Sequence, residues 1–280
     1  MAQAPNPLKQ FFRQPALYLR LPSGGQFWPQ GTLEMPPNNE IPILPMTAMD
    51  EITYRTPDSL FNGAAIVNVI QSCAPSVKNA WKAPGTDLNA LLIAIRVASF
   101  GADMDIETDC PACEHHGEFT LNLSSVLESM PKPNFNNSIK HGDLEIYFKP
   151  LDYQTQNQIN MKQFEQQQIL VKLPTSEVPE DQKIKLLNQA LDEITKLTLN
   201  AIQQSIAGIR TPQMFVTESE HIEEFLKNCD SGLFNKIRDR AIELRTSSEL
   251  KPMKVKCTNC SHEYEQTITL DNVSFFEVAS

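Results

Sequence analysis

Residues 108–119, TDCPACEHHGEF, place two cysteines two residues apart, just before two histidines and an alternating apolar stretch. A second pair, Cys257 and Cys260, lies near the end of the chain in the sequence KCTNCSHEYEQ. Pairs with this spacing are typical of tight turns in which both thiolates can bind one metal ion. The separation of the two pairs, 143 residues, is much longer than in a simple zinc motif.

The sequences around the two pairs nevertheless align without a gap at an offset of 147 residues. Apolar residues coincide on both sides: Ile106 with Met253, Leu121 with Ile268, Leu123 with Leu270 and Val126 with Val273. Each copy has the pattern strand, C-x2-C turn, strand, and 118–128 is predicted to be the strand after the first turn. Two such knuckles facing each other make a zinc-ribbon site. We therefore predict one structural Zn²⁺ per chain, bound by Cys110, Cys113, Cys257 and Cys260.

Three alternatives to a metal site stay open for the cysteines. Cys-Pro-Ala-Cys also occurs in thiol-disulfide oxidoreductases, but there it begins a helix, whereas the alternating sequence GEFTLNL indicates a strand here. Two structural disulfides are disfavoured in the reducing cytoplasm that we expect, and pairs arising by chance are the third alternative. A histidine could replace one cysteine ligand. We interpret the nearby histidines as surface residues or hydrogen-bond partners of the sulfurs: His115, His116 and His262.

The composition argues against several classes of protein. With 41% apolar and 21% charged residues the chain has ordinary globular composition, and its net charge of −10 argues against nucleic acid as a partner. No apolar segment is long enough for a membrane span, and no secretory signal is recognisable at the N-terminus. The motifs of phosphate loops, dinucleotide sites, serine hydrolases and zinc proteases are all missing from the sequence. We expect neither an enzyme nor a small-molecule substrate.

The pattern of elements predicts an α+β fold in four parts. Residues 1–17 form an N-terminal arm, 18–105 an α/β region, 106–151 with 248–280 a split zinc-ribbon-like β domain, and 152–247 a mainly helical insertion between the knuckles. Cys73 is expected in the core, and Asp87 is expected to cap the apolar helix 88–100. The clearest helix, 181–207, has apolar residues at steps of three and four: Ile184, Leu187, Leu191, Ile194 and Leu197.

Several stretches of the sequence together resemble the T4-like bacteriophage baseplate proteins. The N-terminal stretches are YLRLPSGGQFWP, EIPILPMTAMDEI, TPDSLFNGAAIVNVIQSCAPSV and DLNALLIAIRVASFG. They match a family pattern of a Leu-Pro-Ser-x-Gly turn, a Pro-Met-Thr segment with acidic residues and a Gly-Ala-Ile helix. The stretches DIETDCPACEHHGEF and KVKCTNCSHEY are similar to the two cysteine knuckles found in many of these proteins. The similarity covers about residues 18–128 and 253–275.

The resemblance implies a structural subunit of a contractile-tail baseplate, in or near its central hub, and no enzymatic activity. It also implies a location in the virion after assembly in the host cytoplasm, with other baseplate and tail proteins as partners. We expect the apolar N-terminal arm and the helical insertion to be the contact surfaces. Two alternatives remain: an assembly factor that never enters the virion, and a thiol-disulfide oxidoreductase using Cys110 and Cys113.

Overall fold

The chain was analysed as a computed structural model, which describes residues 6–55, 63–173, 179–268 and 275–276. The helices are α1 (Ala48–Tyr54), α2 (Ala64–Cys73), α3 (Gly85–Phe100), α4 (Leu123–Glu128), α5 (Tyr153–Lys172), α6 (Glu180–Gln204), α7 (Ser219–Asn228) and α8 (Ser231–Thr246). The strands are β1 (Leu17–Leu19), β2 (Ile41–Ile43), β3 (Asp103–Asp109), β4 (His116–Asn122), β5 (Ile139–His141), β6 (Leu144–Phe148), β7 (Ile206–Arg210), β8 (Phe215–Val216), β9 (Met253–Lys256) and β10 (Glu263–Gln266). These elements confirm the predicted α+β class.

The described residues belong to two compact units. The first lies within Met1–Ala80, Thr86–Met130 and Leu250–Ser280, and the second within Trp81–Gly85 and Pro131–Glu249. The first unit contains three antiparallel strand pairs, β1–β2, β3–β4 and β9–β10. The second contains one antiparallel sheet in the order β5-β6-β7-β8.

The core of the first unit is built around α2 and α3. Both helices are apolar on most sides, which is typical of helices enclosed by other elements. Most of their side chains are accordingly buried, including Cys73, as predicted. Gly101 ends α3 with φ +92°, and its N–H donates to the carbonyl of Val97 at 3.0 Å. A glycine suits this position because other residues rarely adopt a positive φ.

Asp87 does not cap α3, which begins two residues earlier, at Gly85. Its side chain is fully buried in the first turn. There it accepts hydrogen bonds from the Ser23 backbone N–H at 2.9 Å, from the Ser23 hydroxyl, and from Trp28 Nε1 at 2.7 Å. Burial raises the pKa of this carboxyl group, while the hydrogen bonds from Ser23 and Trp28 oppose the rise. Asp87 thus anchors the N-terminal loop to the helix core.

The predicted strand 118–128 is correct only in its first half. Strand β4 ends at Asn122, and α4 follows immediately. The Asn122 side chain accepts from the Ser125 N–H at 3.0 Å, which satisfies a backbone donor in the first turn of a helix. The sequence pattern assigned Leu123 and Val126 to the strand. In the structure they form the apolar face of α4, and both are buried in the core.

In the second unit, α7 and α8 pack with the four-stranded sheet. The core joins side chains of the sheet and these helices with Phe135 and the end of α6: Phe135, Ile146, Phe148, Ile202, Ile206, Ile209, Ile222, Leu226, Leu233, Ile237 and Leu244. Asp230 caps α8, accepting from the Leu233 N–H at 3.0 Å. Asp152 likewise caps α5, accepting from the Thr155 N–H at 2.8 Å.

The two units divide the chain at different positions from the four predicted parts. Strand β6 pairs with β7, with Ile146 opposite Ile209, so 139–148 lies in the same sheet as strands β7 and β8 of the insertion. The predicted boundary at 151 would separate these hydrogen-bonded strands. The change of unit instead occurs between Met130 and Pro131.

We expect Ile237→Ala to destabilise the second unit strongly. Ile237 is fully buried in its core, and truncating a buried isoleucine costs about 2–5 kcal/mol. Ile242, on the same helix, is 46% exposed, so Ile242→Ala should change the free energy of unfolding by less than about 0.5 kcal/mol. Denaturant unfolding followed by circular dichroism measures both; equal effects would contradict the packing described for α8.

Candidate metal centre

The first cysteine pair occupies the turn between β3 and β4. The strands pair in register from Asp103 with Asn122 to Asp109 with His116, so the turn begins at Cys110. The Cys110 N–H donates to the carbonyl of His115 at 3.0 Å, and the Glu114 N–H donates to the carbonyl of Cys110 at 2.8 Å. Glu114 has φ +56°. These bonds hold a tight knuckle with both thiols on one side.

The second pair repeats this knuckle between β9 and β10. The Cys257 N–H donates to the carbonyl of His262 at 2.9 Å, and the Ser261 N–H donates to that of Cys257 at 3.0 Å. Ser261 has φ +62°, at the position that corresponds to Glu114. The flanking pair Lys256–Glu263 corresponds to Asp109–His116. The offset of 147 residues therefore holds in the backbone as well; the predicted equivalents Leu270 and Val273 lie outside the described residues.

The two knuckles bring all four thiols together. The sulfurs of Cys110, Cys113, Cys257 and Cys260 all lie within 4.8 Å of one another. The contacts cross between the knuckles: Cys110 meets Cys260 at 3.6 Å and Cys113 meets Cys257 at 3.7 Å. Four sulfurs bound to one tetrahedral ion at about 2.3 Å are about 3.8 Å apart. The cluster therefore has the size and the chemistry to hold a metal ion.

The acid–base properties of Cys257 and Cys260 favour the binding of a cation in the cluster. Backbone N–H groups of Cys260 and Asn259 donate to the Cys257 sulfur and lower the pKa of Cys257 to about 6. The backbone N–H of His262 also lowers the pKa of Cys260, but the thiols of Cys113, Cys110 and Cys257 outweigh it and raise that pKa to about 12. One thiol of the cluster thus ionises easily and opposes ionisation of the next. A bound dication would remove this opposition.

Polar contacts between the knuckles surround the cluster. Asn259 Nδ2 lies 3.7 Å from the Cys113 sulfur, within reach of a weak N–H···S bond. Thr108, a buried residue of β3, donates its hydroxyl to Gln266 Oε1 at 2.7 Å. The sequence pattern did not single out these residues. Thr108 and Gln266 do not occupy corresponding positions in the two copies, so the repeat itself gives no signal for their contact.

The three histidines lie outside the cluster. His115 Nε2 contacts the Thr258 hydroxyl at 3.3 Å, and His262 stacks on Tyr264 with ring centroids 6.3 Å apart. His116 Nδ1 lies 2.8 Å from Asp109 Oδ1, and this hydrogen bond raises the pKa of His116. All three are exposed. They are surface residues, which is one of the two roles that we expected for them. In the part of the chain that the structure describes, the side chains grouped closely enough to bind a metal ion are the four cysteines and none of these histidines.

The surroundings of Cys110 and Cys113 differ from those of a redox pair. The turn is followed by β4 rather than by a helix, so the helix N-terminus that directly follows a redox Cys-x-x-Cys is replaced here by a strand. Cys73, elsewhere in the first unit, is fully buried, and burial raises the pKa of its thiol to about 11. A thiol with so high a pKa is a structural residue and a poor nucleophile.

Comparison with known protein families identifies the chain. The model of the family described as T4 bacteriophage base plate protein matches residues 20–277, which include both knuckles and the segments between them. The chain belongs to this family. No curated protein and no solved structure matches the chain in the other two comparisons.

Membership of the T4 bacteriophage base plate protein family supports a structural role in a phage baseplate, with other phage tail proteins as partners. The matched region extends beyond the stretches on which the sequence resemblance depends, and it includes the whole second unit. Among the described residues, no helix has the length and apolar character needed to cross a membrane.

We expect the positive φ of Glu114 to affect metal binding. The left-handed conformation costs any residue with a Cβ about 1–2 kcal/mol, which Glu114 already bears. A β-branched side chain is tolerated there still less, so Glu114→Val should weaken metal binding by about 3-fold or more. Glu114→Gly should bind at least as well as the wild type, since glycine adopts this conformation freely. Glu118→Val, in the middle of β4, is the matched control and should have no effect. Titration with Co²⁺, whose thiolate complexes absorb visible light, gives the affinities; equal binding by all variants would contradict the described turn.

Proposed function

We propose that the chain is a structural subunit of a contractile phage tail baseplate, in or near its hub, stabilised by one Zn²⁺. The observation that carries the metal assignment is the crossed arrangement of Cys110, Cys113, Cys257 and Cys260. Tetrahedral sets of four thiolates favour Zn²⁺ or iron. The family membership supports the baseplate role. We further propose that the chain is assembled in the host cytoplasm and remains in the virion.

The proposed zinc has a structural task. Four thiols fill a tetrahedral site, whereas catalytic zinc keeps one position open for water or substrate. The ion would join two hairpins that are far apart in the sequence and would hold both ends of the chain segment between them. We therefore propose neither an enzymatic activity nor a small-molecule substrate for this site.

The N-terminal arm is one proposed contact surface. Arg13 fixes its end to the first unit: its guanidinium donates to the Pro45 carbonyl at 2.6 Å, to Asp50 Oδ2 at 3.1 Å and to the Ser72 carbonyl at 2.8 Å. The described residues before Arg13, 6–12, include large apolar side chains that are not packed in this way. Leu8, Phe11 and Phe12 are mostly exposed, with Phe11 at 76%.

An exposed group of large apolar side chains is characteristic of surfaces that bind another protein. The arm presents three such side chains within five residues, next to a firmly held arginine. We propose that the arm binds a groove on a neighbouring baseplate or tail protein. In the insertion, α5 presents Phe164 and Val171, which are exposed and form a second proposed contact surface.

We expect purified protein to contain about one zinc ion per chain and no iron. The double variant Cys110→Ser/Cys257→Ser removes one ligand from each knuckle and should lose the metal together with the fold of the β9–β10 hairpin, because structural zinc binding is coupled to folding. Cys229→Ser is the matched control, since Cys229 lies in the second unit, outside the cluster. Elemental analysis and circular dichroism measure both properties. Full metal content in the double variant would refute the assignment.

The place of the chain in the virion can be tested on the phage that encodes it. Mass spectrometry of purified particles should detect the chain in a fixed ratio to the other baseplate proteins. Its absence from particles, combined with failure of baseplate assembly when its gene is disrupted, would instead identify an assembly factor that does not enter the virion. Disulfide-exchange activity of the metal-free protein, lost in Cys110→Ser, would support the oxidoreductase alternative.

A further inference from the structure

The helices α5 and α6 form an antiparallel hairpin that buries little of its apolar surface. Helices of 20 and 25 residues are about 30 Å and 38 Å long. Of their residues, only Ile202, near the end of α6, belongs to the core of the second unit. Ala190, a buried residue of α6, shares a groove with Gln166 and Ile169 of α5, and this marks the side on which the two helices meet. Helix α6 makes most of its contacts with α5, and its other contacts are with α7, α8 and β7.

One apolar row on α6 is left uncovered. It consists of Ile184, Leu187, Leu191 and Ile194, of which the first three are 56%, 41% and 48% exposed and the last is half-buried. We name these four residues the α6 stripe. With 3.6 residues per turn, the four residues lie about 40° to 120° around the helix from Ala190, all on one side of it. None of them lines the groove shared with α5, and the exposure of the first three shows that α5 leaves them largely uncovered. The spacing of three, four and three residues is that of a coiled-coil seam.

The α6 stripe is symmetric about Gln189. Leu187 and Leu191 lie two residues before and after this position, and Ile184 and Ile194 lie five residues before and after it. In an antiparallel pair of identical helices, a two-fold axis at this level places each leucine beside a leucine and each isoleucine beside an isoleucine. Such a surface is complementary to itself, as a two-fold interface requires.

The charges on α6 favour the antiparallel pairing. Glu180 continues the row one step before Ile184. In a parallel pair it would face the same glutamate of the second copy, and like charges in contact disfavour association. In the antiparallel pair it faces Thr198 instead. Asp181, on the flank of the stripe, then lies beside Thr195, and the neutral Asn188 lies beside its own copy.

We propose that two copies of this chain associate through antiparallel pairing of their α6 stripes. This inference goes beyond the proposed function and rests neither on the zinc nor on the position in the baseplate. Each stripe supplies four apolar side chains at coiled-coil spacing, an uncharged residue near the axis, and no like-charge contact across it. The other possible occupant, a helix of a different protein, would leave the chain monomeric by itself.

Sedimentation equilibrium of the full chain tests the proposal. The wild type should dimerise with increasing concentration. Leu187→Lys/Leu191→Lys places lysines opposite lysines and should weaken the dimer by at least about 100-fold, since four buried leucines are lost per dimer. Phe164→Lys/Val171→Lys makes the same change at exposed positions of α5 and should leave the dimer intact. A monomeric wild type at all concentrations, or equal weakening by the α5 variant, would overturn the proposal.

The orientation is tested by reversing one charge. In the antiparallel pair, Leu187→Lys/Leu191→Glu sets each lysine opposite a glutamate, so it should dimerise at least about 10-fold more tightly than the double lysine variant. In a parallel pair both variants would repel equally, and that result would overturn the antiparallel geometry. The substituted residues are exposed, so helix content and metal content should remain those of the wild type. Metal content and detection in virions also report on the proposed function independently of dimerisation.

Discussion

The crossed contacts of the four thiols constrain the path of the entire chain. Cys110 meets a residue 150 positions later, and Cys113 meets one 144 positions later. Strands β5–β8 and helices α5–α8 of the second unit lie within the chain segment that these contacts close, whereas Trp81–Gly85 of that unit precede it. Loop closure becomes only slowly more costly with length, so a long ordered insertion is compatible with the site. The same contacts explain why the two knuckles can be widely separated in sequence and still share one geometry.

Among the elements joined by the thiol contacts, the hairpin β9–β10 depends on them most for its stability. Its strands have four residues each, and Val255 is their only buried side chain. An isolated two-stranded hairpin is at best marginally stable in water, so this one needs support from outside its own strands. The hydrogen bond between Thr108 and Gln266 and the thiol cluster both connect it to the β3–β4 hairpin. Because two of the four thiols belong to this hairpin, a cation at the centre of the cluster would link its folding to metal binding.

The parts of the fold that the sequence predicted are those with local chemistry. The cysteine turns repeat at a fixed offset, and the apolar residues of α6 recur at steps of three and four. The parts that it missed depend on distant partners. Strands β6 and β7 pair in one sheet, but the sequence of neither strand indicates that the other is its partner. The boundary between the units therefore could not be predicted from the sequence. Asp87 has the position of a helix cap, yet its partners Ser23 and Trp28 come from a loop far away in the sequence.

The most informative difference between the sequence prediction and the structure concerns α6. The steps of three and four predicted the helix correctly, and the same pattern would ordinarily assign all its apolar residues to the core of the chain. Ala190, Leu197 and Ile202 meet that expectation because they are buried, whereas Ile184 is 56% exposed. Apolar spacing shows that a helix face requires a partner, but it does not specify whether the partner belongs to the same chain. In a subunit of a large assembly the two cases have the same sequence pattern, and only the folded structure separates a core face from an interface.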